Sequence, residues 1–306
     1  MMGKRLFITG GTGFFGKSML DYRVRHSELQ DAEWVVLSRD PDRFKANNPA
    51  FARLPDVTFV AGDVRDFAFP AGPFDAIVHA ATPAVTTLPD DEMRSIIRDG
   101  ATRVIEFAKA CGCRRLLFTS SGAVYGPRTS AADESSPCLP ETAYGRGKLQ
   151  SEQMLLGSGL DVRIARCFAF VGPHLNRNIH YAIGNFIRDC LEGRDIVLNG
   201  DGTPRRSYLY ADDLVEWLFA ILERGEPGCA YNVGSDVAVS IRELAETVQR
   251  VLGGRGKIVV KGTPRPGAAP SVYVPKIERA RKELGLSVRT DLESAILKTV
   301  EGEDVR

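Results

Sequence analysis

Through the first half of the chain, short apolar runs alternate with longer amphipathic segments. RLFITG at residues 5–10 precedes a helical stretch opening at Phe14, followed by WVVLS from Trp34, VTFV from Val57 and DAIVHA from Asp75. A long helix-like segment covers Asp91 to Ala110, and RRLLFTS ends at Ser120. A second such segment runs from Ala143 to Leu156, and DVRIAR closes at Arg166. Strands that are apolar at consecutive positions, separated by helices, predict a parallel sheet covered on both faces. The expected class is therefore α/β, a doubly wound parallel sheet.

After Pro173 the rhythm changes. Helical IGNFIRDCLEG, strand-like DIVLNG and helical ADDLVEWLFAILERG are followed by YNVG and SIRELAETVQRVLG. A Pro/Gly-rich passage, KGTPRPGAAPSVYVP, then precedes helical ERARKELG and LESAILKTV. This pattern predicts a main unit over residues 1–172 and a smaller lobe over 173–306, with some of the later segments returning to the main sheet. Ligand would lie between them, outside the carboxyl ends of the strands.

Composition narrows the field without choosing a chemistry. At 306 residues the chain can bury a large core, and 43% apolar with 26% charged residues is ordinary for a soluble protein. A formal net charge of +1 supplies no global field for nucleic acid or an anionic membrane. No apolar run approaches the roughly 18 residues of a membrane span, and MMGKRLFITGG reaches glycine too soon for a signal peptide. Six cysteines form neither a C-x-x-C pair nor a disulfide-dense frame, which predicts free thiols in a reducing cytoplasm. Four scattered histidines predict no metal site.

FITGGTGFFGKSML places Gly10, Gly13 and Gly16 directly after the first strand and at the opening of a helix. A tight turn, a close backbone approach to a pyrophosphate and a helix N-terminus aimed at it each ask for glycine or exposed N–H groups. This is a dinucleotide-binding reading of a Rossmann fold; a glycine-rich turn in any α/β protein is the plainer alternative. A carboxylate about 20 residues farther on would suit an unmodified ribose. Here the stretch reads Leu37-Ser38-Arg39-Asp40. Arg39 suits a 2′-phosphate and favours NADP over NAD, whereas Asp40 reads as the N-cap of the segment opening at Pro41.

YGRGK sets Tyr144 and Lys148 one helical turn apart on a shared face. Eight tyrosines would yield about 0.4 such pairs by chance, so the pair needs company. FTSSGAVYG provides it, delivering Ser120, Ser121 and Tyr125 at the end of a strand-like run. With the glycine turn and HAAT at 79–82, the order and spacing resemble the extended short-chain dehydrogenase/reductase family, and within it the NAD(P)-dependent nucleotide-sugar epimerase/dehydratase branch. The similarity runs from Lys4 to about Gly285. It includes GDV at 62–64, CFAFVGP at 167–173, GDGTPRRSYLYADDL at 200–214, YNVGS at 231–235 and RARKELGL at 279–286.

The resemblance implies a role for each matching position. Residues 1–172 become a dinucleotide-binding Rossmann domain and 173–306 mainly a substrate-binding lobe. Tyr144 matches the general acid/base. Lys148 matches the residue that lowers its pKa and binds the nicotinamide ribose, and Ser121 the hydroxyl that bonds the reacting oxygen. A free tyrosine titrates at about 10, so work at neutral pH asks for roughly three units, about 4 kcal/mol of phenolate stabilisation. Lys148 and the positive nicotinamide ring are the two sources considered. Cofactor contacts are implied for Gly10, Gly13, Phe14, Phe15, Gly16, Arg39, Ala80, Ala81 and Cys167, with Asp63 and Val64 at the adenine. Asp63 also reads as a turn residue. Arg206 in TPRRSY and Arg265 in TPRPG match arginines that grip the substrate pyrophosphate, and Asn185 in IGNFI would flank the base. The implied substrate is a nucleotide-diphosphate sugar, the cofactor NADP or NAD, and the assembly a cytoplasmic homodimer, with neither nucleic acid nor membrane as partner.

The departures carry information. Dehydratases of the family follow the active-site threonine with Asp-Glu, and decarboxylases place Glu second; here these positions are Gly122 and Ala123. Ala169 stands where relatives often bind substrate with Asn, and Ile97 at another such place. What remains is hydride exchange without an extra acid or base, first as a 4-epimerase and alternatively as an NADPH-dependent 4-keto reductase. A silent dinucleotide-binding regulator would not need Ser121, Tyr144 and Lys148 together. A steroid- or flavonoid-type reductase would have no use for Arg206 and Arg265.

Overall fold

Each strand of the main sheet carries apolar side chains on both faces. On Arg5–Thr9 (β1), Leu6 and Ile8 enter one core while Phe7 enters the other. Later in the chain, Trp34 and Val36 likewise face away from Val35 and Leu37. A strand buried on both sides has no wet face to alternate with, which explains the unbroken apolar runs.

The computed structural model describes residues 4–83, 88–179, 181–264 and 267–304. After β1 come α1 (Phe14–Arg25), β2 (Glu33–Ser38), α2 (Pro41–Asn47), α3 (Pro49–Ala52), β3 (Val57–Ala61) and β4 (Ala76–His79). Next are α4 (Asp90–Ala110), β5 (Arg115–Ser121), α5 (Ala143–Leu156), β6 (Asp161–Cys167) and β7 (Phe170–Val171). The second half contains α6 (Ala182–Leu191), β8 (Ile196–Leu198), β9 (Arg205–Arg206), β10 (Leu209–Tyr210), α7 (Ala211–Arg224) and β11 (Ala230–Val233). It closes with β12 (Val239–Ser240), α8 (Ile241–Leu252), β13 (Ile258–Val260), β14 (Val272–Tyr273), α9 (Glu278–Leu284) and α10 (Leu292–Asp304).

Seven strands form one parallel sheet in the order β11-β6-β5-β4-β1-β2-β3. The order reverses between β1 and β4, so the loops leaving their carboxyl ends part and open a crevice there. This is a doubly wound Rossmann-like sheet. Three later segments return to it: α7 packs on α1, β11 adds the edge beside β6, and α9 packs against β11 and α7. Residues of α6, β8, α8 and α10 build a second core with Val171, among them Ile187, Leu244, Val248 and Ile296. No helix among the described residues is long and apolar enough to cross a membrane.

A small sheet in the order β12-β9-β14 ties the two bodies together. Tyr273 on β14 stands in register with Arg206 on β9. Beyond β14, Val272 N–H donates to the Arg128 carbonyl at 2.8 Å and Ala132 N–H to that of Val274 at 3.1 Å.

One buried ion pair fixes α5 against the sheet. Arg166 on β6 meets Glu152 on α5 in a two-pronged contact, Nε to Oε1 at 3.1 Å and Nη2 to Oε2 at 2.8 Å. Their side chains are only 10% and 3% exposed. Arg166 Nη1 also donates to the Tyr125 hydroxyl at 3.1 Å, which donates to Asn232 Oδ1 at 2.7 Å. Removing one charge strands the other in a dry site, at a cost of about 3–5 kcal/mol. Urea unfolding of Glu152→Ala is expected to show a loss of about that size, and Glu152→Ala with Arg166→Met is expected to recover most of it. A loss below about 1 kcal/mol would mean that the pair behaves as a surface one.

Candidate active site

At the reversal point, β1 hands over to Gly10 at φ +72°. That left-handed conformation is cheap only for glycine. A Cβ on Gly10 would also lie 2.5 Å from the Ala80 carbonyl carbon, so the loops after β1 and β4 meet with room for hydrogen alone. At Gly16, a Cβ would fall 2.1 Å from the Gly11 backbone. Gly13 N-caps α1 with no side chain bonded to the helix end and no acidic residue in the first turn. The opening N–H groups of a 12-residue helix are thus left to an anion, with Phe14 and Phe15 as its first residues. The Phe15 ring is edge-on to Phe170 at 5.2 Å. A dinucleotide diphosphate fits this cradle by shape and by charge.

Across the crevice, Ala81 N–H donates to Thr9 Oγ1 at 3.1 Å, and the same oxygen is bonded to His79 Nδ1 at 2.8 Å. Complete burial pushes the His79 imidazole down to about 3, so the ring is neutral and serves to hold the loop.

At the far end, Asp40 caps α2 by accepting the Arg43 N–H at 2.9 Å, which occupies the carboxylate nearest the β2 terminus. Arg39 beside it is exposed. Asp63 closes its own turn, accepting the Arg65 N–H at 3.0 Å and the Arg65 Nε at 2.7 Å. The Arg65 guanidinium holds the Asp63 carboxyl below its ordinary range. Val64 is buried in the core against Gly100, so its side chain is committed to packing.

The catalytic candidates converge at the ends of β5 and β6. Ser121 Oγ accepts the Ala123 N–H at 3.1 Å and so caps the 3-10 turn Gly122–Tyr125. Thr142 caps α5 by accepting the Gly145 N–H at 3.0 Å, which sets Tyr144 and Lys148 on the helix's opening turns. Lys148 Nζ donates to Thr82 Oγ1 and to the Thr119 carbonyl, both at 2.6 Å. Burial pushes this amine down to about 7.

The phenol differs from expectation. Burial raises the pKa of the Tyr144 hydroxyl well above 10, and the Tyr273 and Tyr181 phenols and the Cys167 thiol push the same way, while the nearby Ser121 hydroxyl opposes them. The Lys148 ammonium lies 5.9 Å from the Tyr144 ring centroid, anchored on the two threonines. Cys167 is buried beneath this group, with its own thiol pushed up to about 12.

On the substrate side, Arg206 lies with its guanidinium 5.8 Å from the centre of the Tyr273 ring. The Tyr273 hydroxyl is 3.3 Å from Ser121 Oγ and 3.4 Å from the Cys167 carbonyl. Tyr273 therefore links Arg206 to Ser121. Asn185 lies on α6 with a buried Oδ1 that has no protein partner among the described residues. Arg265 lies outside the described residues.

Tyr273 and Phe168 carried no signal in the sequence: one lies in the Pro/Gly-rich passage, the other in a motif read for its neighbours. Thr82 belongs to the HAAT stretch, but its bond to Lys148 was not foreseen. The Phe168 ring occupies the volume beside Gly122, with ring atoms 2.7, 2.8 and 2.9 Å from where a Cβ would stand. No side chain fits at position 122 while that ring is there.

A model of the NAD dependent epimerase/dehydratase family matches residues 6–234. UDP-glucuronic acid decarboxylase 6 of Arabidopsis thaliana is 28% identical, over 95% of this chain and 86% of its own length. The structure of a dTDP-glucose 4,6-dehydratase of Streptomyces venezuelae, solved with NAD bound, is 26% identical with a TM-score of 0.85, covering 99% of this chain and 97% of that one. A UDP-N-acetylglucosamine 4-epimerase of Methanobrevibacter ruminantium shares the fold at 23% identity and a TM-score of 0.87, covering 100% and 99%.

The buried amine has a consequence for stability. Below about 7 Lys148 is charged in both folded and unfolded chains, and the cost of burying that charge is fully felt. Between about 7 and 10.5 only the unfolded chain keeps the proton, so stability is expected to rise with pH across that window. Thermal melting of the cofactor-free protein checks this, with Lys148→Met expected to flatten the rise. An identical slope in the two proteins would place the titration elsewhere.

Proposed function

The chain belongs to the NAD dependent epimerase/dehydratase family, and we propose that it exchanges hydride at C4 of a nucleotide-diphosphate sugar, acting as a 4-epimerase. The observation that carries this reading is the joint position of Ser121, Tyr144 and Lys148 at the carboxyl ends of the central strands, beside a glycine turn shaped for a dinucleotide. The bound nicotinamide would supply reversible hydride acceptance and a positive ring. Everything else falls to the protein.

Tyr144 takes the proton of the sugar hydroxyl as the C–H bond gives up its hydride, leaving a ketone. It returns that proton when the hydride comes back on the opposite face of the turned sugar. Ser121 donates to the reacting oxygen. Lys148, fixed by Thr82 and Thr119, presents its amine to the ribose. Burial, with the neighbouring phenols and the Cys167 thiol, holds the phenol protonated, and a bound nicotinamide would supply the positive charge it needs to act as a base. Arg206, with Arg265, would hold the diphosphate in a planar, two-pronged grip.

Relatives named as decarboxylases and dehydratases raise a competing outcome. Both need a further acid or base beside the reacting sugar. This chain has Gly122 and Ala123 there, with the Phe168 ring over the former. Neither residue can move a proton.

A second reading is a 4-keto reductase that consumes NADPH, and one observation favours it. The carboxylate nearest the end of β2 is spent on capping α2, which leaves exposed Arg39 to meet a 2′-phosphate.

Tyr144→Phe is expected to cut turnover by about 10²–10⁴ while leaving cofactor affinity within about twofold. Steady-state rates and cofactor titration check both halves, and normal turnover would end the catalytic assignment. With a 4-keto nucleotide sugar, stoichiometric loss of NADPH absorbance identifies the reductase. Interconversion of C4 epimers without net cofactor change identifies the epimerase.

A further inference from the structure

An ammonium held by one hydrogen bond can still turn about that bond. Held by two, it has the direction of its remaining N–H fixed. Lys148 Nζ is held by two: it donates to the Thr119 carbonyl and to Thr82 Oγ1, each at 2.6 Å. Among the described residues its third proton has no protein acceptor. The stem is confined as well, since Lys148 is buried and its Nζ lies 4.6 Å from the centre of the Phe118 ring. The Thr119 anchor is backbone on β5 and is present whatever side chain stands there. The Thr82 oxygen is, among the described residues, the only side-chain atom that receives this amine.

Thr82 stands on the loop leaving β4, one residue beyond Ala81, whose N–H donates to Thr9 Oγ1 at 3.1 Å. The root of this loop is tied to both neighbouring strands. On the β1 side His79 Nδ1 is bonded to Thr9 Oγ1 at 2.8 Å, and on the β5 side Thr119 Oγ1 donates to the His79 carbonyl at 3.3 Å. Gly10 closes on Ala80 in the same loop. The loop that floors the crevice and the helix that carries Lys148 therefore meet at the Thr82 hydroxyl. A β-branched side chain has few rotamers, so this acceptor stays where the backbone puts it.

We infer that Thr82 is a positioning residue: its oxygen, with the Thr119 carbonyl, aims the uncommitted N–H of Lys148 at the nicotinamide ribose and couples that aim to the loop along the dinucleotide. The inference rests on the reading of Lys148 as the ribose contact. Without the Thr82 oxygen, Nζ keeps the Thr119 carbonyl alone, is free to turn about that bond, and has a second buried proton unsatisfied.

Binding of NAD, NADP and ADP is measured by isothermal titration calorimetry below about pH 7, where the amine carries its charge. ADP keeps the adenosine diphosphate portion and lacks the nicotinamide ribose, so it reports on the rest of the crevice. Thr82→Val has the shape of threonine without the acceptor. It is expected to weaken the tighter-bound dinucleotide about tenfold and to leave ADP within about twofold. Thr82→Ser, which keeps the oxygen, is expected to recover most of the loss. In a Lys148→Met background Thr82→Val is expected to add nothing further. Thermal melting checks that each variant folds, and Thr82→Ala gives the same readings should valine disturb the loop. Undiminished dinucleotide affinity in the variant lacking the oxygen overturns the inference. So does an equal loss for ADP, a failure of serine to recover affinity, or a full additional loss beside Lys148→Met. The ribose reading of Lys148 fails separately, if Lys148→Met by itself binds the dinucleotide as tightly as the unaltered protein.

Discussion

A phenol enclosed by protein resists becoming an anion, and that constraint governs this site. Tyr144 is pushed above its ordinary pKa by burial and by its phenolic and thiol neighbours, with a serine hydroxyl opposing the shift. The cation on the same helix is turned towards Thr82 and Thr119. In the proposed mechanism the protein alone holds an acid, and a bound cofactor would supply the positive charge that makes it a base; the buried amine at position 148, itself held near 7, belongs to the same balance.

The sheet supplies the geometry that makes this possible. Reversal of strand order between β1 and β4 opens the crevice, and the Gly10–Ala80 contact narrows its floor. The small lobe is joined by hydrogen-bonded strands, because β14 pairs with β9 on one edge and bonds the Arg128–Ala132 loop on the other. At that join Tyr273 stands between Arg206 and Ser121. The tight fit of Phe168 over Gly122 limits which reactions this arrangement can support. Proteins named as decarboxylases, dehydratases and epimerases are all similar to this chain, so the fold alone leaves the outcome open.

The main sheet and its helices were legible because strands buried on both faces write themselves as apolar runs. The β1–α1 turn was legible because glycine is required where backbones meet. The role of Asp40 as a cap followed from its place before Pro41. The two-residue strands β9, β12 and β14 were not legible, since two positions carry no period. Tyr273 was hidden for that reason: its passage reads as loop, and its partner Ser121 lies 152 residues away. The direction of the Lys148 amine was equally out of reach, as spacing along a helix says that two side chains share a face but not what else each one finds. Phe168 shows the converse, an ordinary aromatic whose importance comes from the missing side chain opposite it.

The central claim is that a sugar alcohol and its ketone interconvert by direct hydride exchange at Tyr144. Its most direct test is the fate of deuterium placed on the sugar carbon that bears the reacting hydroxyl, followed by mass spectrometry through turnover in ordinary water. The account predicts that the label stays on the sugar or moves to the nicotinamide, with none lost to solvent. Washout of the label into water would contradict it, because the carbon would then be losing a proton instead of a hydride.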